Sequence, residues 1–306
     1  MFTFILRRLL QMIPVLLGVV LVVFLIMQMV PGDPAVLLAG ESATPEQVEI
    51  IRHQLGLDRP LIVQYFSYVG EIIRGDLGTS IRSNRPVLDE ILVRLPVTFE
   101  LAFWSILVTI FLGLLAGIIS ATKQYSFSDV SLMIVALLGV SLPSFWLGLM
   151  FILYLSVKIQ IFPVAGWGTF MHVVLPALTL GTGGAAIVAR MTRSSMLEVI
   201  RQDYIRTARA KGVKEQVIVY KHALKNAMIP VITVVGLQFG ALLGGTVLTE
   251  TVFAINGLGR LIIDAIRMRD LPLVQGSILT VSIIFVVVNM LVDISYRFLN
   301  KRVDLN

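Results

Sequence analysis

Cysteine is absent from the 306 residues, and histidine occurs only at His53, His172 and His222. A disulfide framework, a thiolate nucleophile and thiolate metal or iron–sulfur sites are thereby excluded, and the scatter of the three histidines argues against a histidine-based metal cluster. Charge is scarce too: 14% of residues are charged against 57% hydrophobic, with a mean hydropathy of +0.89. Water does not solvate that much apolar surface, so a polytopic membrane protein is implied over a soluble globular one. No Gly-Lys dipeptide occurs anywhere, so the chain has no P-loop of its own for ATP. No base and nucleophile cluster in the sequence, which leaves a membrane-bound enzyme without support.

What is present is six apolar stretches: Leu9–Val30, Val97–Ala121, Val130–Val157, Val173–Ala189, Met228–Thr249 and Gly276–Tyr296. Each is long enough, or nearly so, for a hydrocarbon core about 30 Å thick. The first has too long an apolar part for a secretory signal, and no small-x-small cleavage site follows before Pro31, so a retained anchor is expected. The fourth carries Pro176, Gly181, Gly183 and Gly184, and a loosely wound segment packed against other helices is expected there.

Charge then sets the orientation. With the amino terminus inside, the inner segments hold Arg7, Arg8, Lys123, nine Lys/Arg from Arg190 to Lys225, and Arg297, Lys301 and Arg302. The short outer segments hold only Lys158, Arg260, Arg267 and Arg269. The longer outer loop, from Pro31 to Pro96, crosses largely regardless of its charge, so both termini are expected on the cytoplasmic side. The net charge of +6 is therefore an orientation signal, with no nucleic-acid partner expected.

The Pro31-Gly32-Asp33-Pro34 turn ends the first span, and Thr44-Pro45-Glu46-Gln47 predicts a capping box with proline at the first helical position. That helix runs to Gly56, and a second from Pro60 to Gly75 places Leu61, Tyr65, Val69 and Ile72 on one face. This small external cap is either a structured connector or a surface that receives a partner or gates the outer mouth. Between Glu250 and Gly276, Asn256-Gly257-Leu258-Gly259 precedes an apolar helix from Arg260 to Met268, either re-entrant or surface-lying, or a plain loop. Its glycines permit left-handed geometry or close approach.

The inner segment from Arg190 to Ala227 is the most informative. Leu197, Ile200, Tyr204 and Ala208 share a helical face, Gly212 is a stop, and a further helical run spans Lys214 to Asn226. Its nine positive residues face only Glu198, Asp203 and Glu215. Topology enforcement or anionic lipid would account for the charge. Neither needs a compact helical pair broken by glycine, so the pattern favours docking onto a cytoplasmic protein. Inside the spans the ionisable residues are Glu100 and Asp293, both near span ends, with Glu250 just outside the fifth. An ion-coupled carrier places such groups near the midplane. Asp293 stands four residues before Arg297, where a local ion pair explains it.

Together these motifs resemble the B-type permease subunits of bacterial ABC importers for dipeptides, oligopeptides, nickel and glutathione. The resemblance rests on Arg7-Arg8-Leu9, Pro31-Gly32-Asp33-Pro34, Gln54-Leu55-Gly56-Leu57-Asp58 with Pro60, and Gly75-Asp76-Leu77-Gly78. It continues through Met191-Thr192-Arg193-Ser194-Ser195-Met196, the run Asp203 to Gly212, His222-Ala223-Leu224-Lys225-Asn226-Ala227 and Gly257-Leu258-Gly259-Arg260.

The resemblance implies an all-α polytopic membrane protein with the type I ABC importer permease fold, six transmembrane helices and a small extracytoplasmic helical insertion. It divides the chain into an anchor helix at 1–30, the insertion at 31–93, a permease core at 94–297 containing a coupling segment at 190–227, and a cytoplasmic tail at 298–306. It implies that Tyr204, Arg206, Thr207, Ala208, Arg209, Ala210, Lys211 and Gly212 form the region that couples to an ATPase subunit. The general importer motif has Glu-Ala-Ala three residues before its glycine; here the glycine is Gly212 and the triplet is Arg206-Thr207-Ala208. The implied partners are a homologous second permease, two ATP-binding subunits carrying ATP and Mg, and an extracytoplasmic solute-binding protein. This chain would hold no cofactor. The implied site is the bacterial cytoplasmic (inner) membrane and the implied activity is binding-protein-dependent import of dipeptides or short peptides. A stand-alone channel or an ion-coupled secondary carrier is the alternative.

Overall fold

The computed structural model describes residues 2–29, 33–39, 43–54 and 56–299. Its helices, in chain order, are α1 (Phe2–Met29), α2 (Pro34–Ala39), α3 (Pro45–Gln54), α4 (Leu61–Ile73), α5 (Val87–Thr122), α6 (Phe127–Ser141) and α7 (Ser144–Phe151). They continue with α8 (Phe170–Ile200), α9 (Asp203–Ala210), α10 (Glu215–Val217), α11 (Leu224–Gly245), α12 (Val247–Val252), α13 (Leu258–Arg267) and α14 (Leu271–Leu299). Wider π turns extend α7 over Ile152–Lys158 and lead into α11 over Ile218–Ala223. Five helices are long and apolar enough to cross a membrane, and a bent pair makes a sixth span if counted as one. The chain clusters into two compact units, one of residues 1–96 with 257–286 and one of residues 97–256 with 287–306.

In the first unit, the predicted capping box forms. Gln47 N–H donates to Thr44 Oγ1 at 3.3 Å and Thr44 N–H to Gln47 Oε1 at 2.9 Å, satisfying two otherwise orphaned donors. Gly56 and Gly75 close α3 and α4 at φ +63° and +81°, values that cost glycine nothing sterically. Helix α4 meets α1 through aromatics: Phe24 lies edge-on to Tyr65 at 5.7 Å and stacks over Tyr68 at 6.3 Å. Tyr68 faces inward while Leu61 of the predicted face stays 56% exposed. Pro31, Gly32, Leu55 and residues 300–306 lie outside the described residues, as do the Asp293 and Arg297 side chains of the predicted ion pair. Asp33 itself accepts Ala35 N–H at 3.0 Å and pairs with Arg52.

A second core in this unit joins α13 to the starts of α5 and α14 through Val87, Ile91, Leu258, Leu261, Ala265, Leu273 and Val274. Residues 258–267 are therefore a packed helix and not a plain loop. Gly257 sits at φ −99°, and left-handed geometry falls instead on Ala254 and Arg269 at +51° and +54°. Of the two uses expected of these glycines, left-handed geometry is therefore not the one Gly257 takes.

In the second unit, α8 overturns the expectation of a loosely wound fourth span. It is a continuous 31-residue helix, and its glycines allow another helix to come close. A Cβ on Gly181 would lie 2.6 Å from Val108, and one on Gly184 2.8 Å from Thr109. From the opposite side, Cβ atoms on Gly113 and Gly117 of α5 would lie 2.7 Å from Val188 and 2.5 Å from Thr192. Interlocked small residues let two backbones approach where lipid offers no hydrophobic drive. Thr109 Oγ1 donates across the seam to the Gly181 carbonyl at 3.0 Å.

The third predicted span carries a break that the sequence reading does not include. It is two helices, Phe127–Ser141 and Ser144–Lys158, bent by 104°. Pro143 forces Leu142 into extended backbone, ψ 132°, and cannot continue the helical hydrogen bonds.

Candidate functional site

The candidate coupling residues lie where α8 ends. Helix α8 runs as far as Ile200, two residues break the helix, and α9 begins at Asp203. The break changes the register expected from sequence. Leu197, Ile200 and Ala208 pack inward as predicted, but Tyr204 is 41% exposed and Ile205 takes the fully buried place.

Ile205 sits in a cluster with Ala121 at the end of α5, Met196 of α8, Ile218 and Val219 of the π turn, and Ala223 and Ala227 leading into and along α11. One short helix is therefore seated on the ends of three long ones. Its other face is open: Tyr204, Arg206, Thr207, Arg209, Ala210, Lys211 and Gly212 are exposed and Ala208 is half-buried. This gives a polar, net-basic ridge on an apolar foot.

The ridge is held in shape by its own bonds. Asn226 Nδ2 donates to Tyr204 Oη at 2.7 Å, and Thr207 Oγ1 donates to the Asp203 carbonyl at 3.0 Å. Arg209 forks onto Glu215, Nη2 to Oε1 at 2.6 Å and Nε to Oε2 at 3.1 Å. This holds the guanidinium pKa above its ordinary value, chiefly through the hydrogen bond to the carboxylate. At the helix end, Gly212 adopts φ +76°. Its N–H donates to the Arg209 carbonyl at 2.9 Å and Val213 N–H to the Ala208 carbonyl at 3.2 Å, a Schellman closure that places Val213 back against the core.

A second constellation was not legible in the sequence. Asp129, in the first turn of α6, accepts Arg193 Nε and Nη2 at 2.8 Å each and Tyr125 N–H at 2.9 Å on its carboxylate, while its own N–H donates to the cap Ser126 Oγ at 3.3 Å. Its side chain is 3% exposed. The Ser126-x-x-Asp129 spacing is a capping signal, but nothing local announces the arginine. Glu250, expected just outside a span, lies in α12 with no exposure and accepts Thr98 Oγ1 at 2.8 Å. Between α5, α8 and α11 a cavity of about 120 Å³ is lined by Thr109, Leu180, Gly184, Gln238, Ala241 and Leu242, with no ionisable group among them.

Among the described residues, five apolar helices long enough to cross a membrane, or six with the bent pair counted as one, and a short polar helix seated on the ends of three long ones define a multi-pass membrane protein. The chain belongs to the family described as binding-protein-dependent transport system inner membrane component, which matches residues 113–305, with the N-terminal component of the same description matching residues 1–102. It is 44% identical to the dipeptide transport system permease protein DppB of Alkalihalophilus pseudofirmus and 45% identical to the glutathione transport system permease protein GsiC of Escherichia coli K12, each over 99% of both chains. The inward-facing MetNI methionine ABC transporter has the same fold, with a TM-score of 0.61 over 70% of this chain and 97% of that one at 18% identity. The protein is thus a permease subunit of an ABC importer, a multi-pass inner-membrane protein that works with a partner permease, ATPase and solute-binding protein.

Proposed function

We propose that the chain moves dipeptides or other short peptides across the membrane by alternating access, driven through α9 by ATP hydrolysed on two partner ATPases that carry ATP and Mg. The carrying observation is Ile205: fully buried among the ends of α5, α8 and α11 while its neighbours Tyr204, Arg206 and Arg209 stay exposed. A force applied to the exposed ridge is transmitted to three helices at once because tightly packed side chains do not deform continuously. In this reading Tyr204 to Gly212 face the cytoplasm, as do both termini. ATP draws the ATPases together, the ridges of the two permeases follow, and the transporter turns outward to accept solute from the binding protein; hydrolysis resets it.

Support for a peptide comes from the named solutes of the relatives, a dipeptide and glutathione, which share amide-linked, zwitterionic chemistry. The uncharged cavity lining gives a stand-alone ion-coupled carrier no ionisable group there to work with. The test is uptake into proteoliposomes. The complete assembly should import dipeptide only with ATP inside the ATPase-facing compartment and binding protein on the other side. Uptake by this chain alone under a proton or sodium gradient would overturn the reading.

A further inference from the structure

The importer reading assigns no role to the arginines gathered around Asp270. Asp270 is 1% exposed and its carboxylate holds two distant segments together. Ser80 Oγ donates to Oδ2, Ile81 N–H to Oδ1 at 3.2 Å and Arg82 N–H to Oδ2 at 3.3 Å, while Leu273 N–H reaches Oδ1 at 3.3 Å as the cap of α14. Arg82 Nε donates to the Met268 carbonyl at 3.3 Å, a second tie between the same segments.

The pin builds a rigid turn. Ser80 N–H donates to the Arg85 carbonyl at 2.9 Å, Asn84 N–H to the Ser80 carbonyl at 3.0 Å, and Thr79 bridges Pro86. Asn84 is held at φ +53° and Arg269 at +54°, conformations disfavoured for side-chain-bearing residues and stable only where the surroundings impose them. Arg82 and Arg85 stand on this turn, and Arg267 and Arg269 stand beside Asp270 on the adjoining segment; all four are exposed.

These charges are not spent inside the unit. No ion pair joins any of the four to an acid among the described residues. The neighbouring acids are engaged elsewhere: Asp264 with Arg260 at 3.6 Å, Glu90 with Arg94, and Asp76 accepting Gly78 N–H at 2.8 Å. Asp89 is the exposed acid left in that stretch. Four like charges on a pinned frame repel one another, and the repulsion is relieved by an acidic counter-surface.

We propose that Arg82, Arg85, Arg267 and Arg269 form the extracytoplasmic patch on which an acidic surface of the partner solute-binding protein docks, an inference that rests on the importer reading above. A protein partner is favoured over lipid because the patch is preorganised. Lipid headgroups attract flexible basic segments equally well, whereas a fixed array lowers the ordering cost of a specific protein contact and steers its approach.

The test uses the whole assembly in nanodiscs and its purified binding protein, with dissociation constants measured at low and at physiological salt. Arg82→Glu/Arg85→Glu and, separately, Arg267→Glu/Arg269→Glu should each weaken binding about tenfold or more and flatten its salt dependence. Lysine at the same positions should keep most of the affinity, and ATPase activity without binding protein should not change. Unchanged affinity and salt slope in both reversals would overturn the proposal. So would a defect that tracks the anionic lipid content of the nanodisc, which assigns the patch to lipid. Binding-protein-stimulated uptake by the unaltered assembly is measured in parallel: its absence strikes the importer reading, whereas its presence beside unaffected reversals strikes the patch alone.

Discussion

Asp129 and Arg193, 64 residues apart in sequence, meet through two hydrogen bonds of 2.8 Å that tie the first turn of α6 to α8. The fork geometry of guanidinium and carboxylate gives direction as well as attraction. The pair lies one helical turn before Met196 and Leu197, which pack on the cluster around Ile205.

Neutralising Asp129 leaves the Arg193 guanidinium, whose side chain is 25% exposed, without its counter-charge and both of its hydrogen bonds to a carboxylate. Asp129→Asn should destabilise the protein by about 3 kcal/mol, read as a lower melting temperature of the detergent-solubilised chain. Arg193→Lys should cost less, because the lysine ammonium keeps the charge pair and one of the two bonds to Asp129. An unchanged melting temperature in Asp129→Asn would show the pair to be dispensable.

Arg209 and Glu215 are a pair of the opposite kind, with side chains 42% and 61% exposed. Such a bridge contributes about 0–1 kcal/mol, so Arg209→Glu should insert and fold normally yet lower ATPase activity coupled to transport. Arg209→Glu/Glu215→Arg restores the local bridge while keeping the reversed ridge, and should remain defective. Recovery in the double variant would mean that Arg209 acts by shaping the segment and not by meeting the ATPase.

Gly212 has open space where a Cβ would sit, so only its φ of +76° resists substitution. Gly212→Ala should cost about 1–2 kcal/mol locally. Gly212→Pro cannot reach that φ and removes the N–H bonded to Arg209, so it should abolish coupled ATPase activity while membrane insertion is retained. Normal coupling in Gly212→Pro would remove this segment from the drive train.

The glycine seam predicts a contrast within one helix. Gly181→Val would collide with Val108 and the Ser105 carbonyl, and overpacking of this kind should destabilise by about 1–3 kcal/mol or more. Gly183→Ala meets nothing within 4 Å and should be neutral or stabilising by about 0.5–1 kcal/mol. Equal thermal stability of the two variants in detergent would contradict close packing of α5 and α8.

Legibility followed the range of the forces involved. The Thr44–Gln47 box and the stop at Gly212 are decided within a few residues, and they stand where the sequence places them. The inward face of α9 shifted from Tyr204 to Ile205 because a two-residue break after Ile200 resets the helical phase. The 104° bend at Pro143 is masked in sequence by the apolar run on either side of it, because hydropathy sums over a window while a single proline acts on one turn.

The sequence by itself determined that this protein lives in a membrane, roughly where its spans fall, and which segment concentrates positive charge. Those properties are sums over neighbouring residues, set by the cost of placing polar groups in hydrocarbon. Only the tertiary structure decided which small residues interlock, that Asp129 grips Arg193, and that Asp270 pins Ser80 across 190 residues. Such pairings depend on which helices come together, and local periodicity carries no information about that choice.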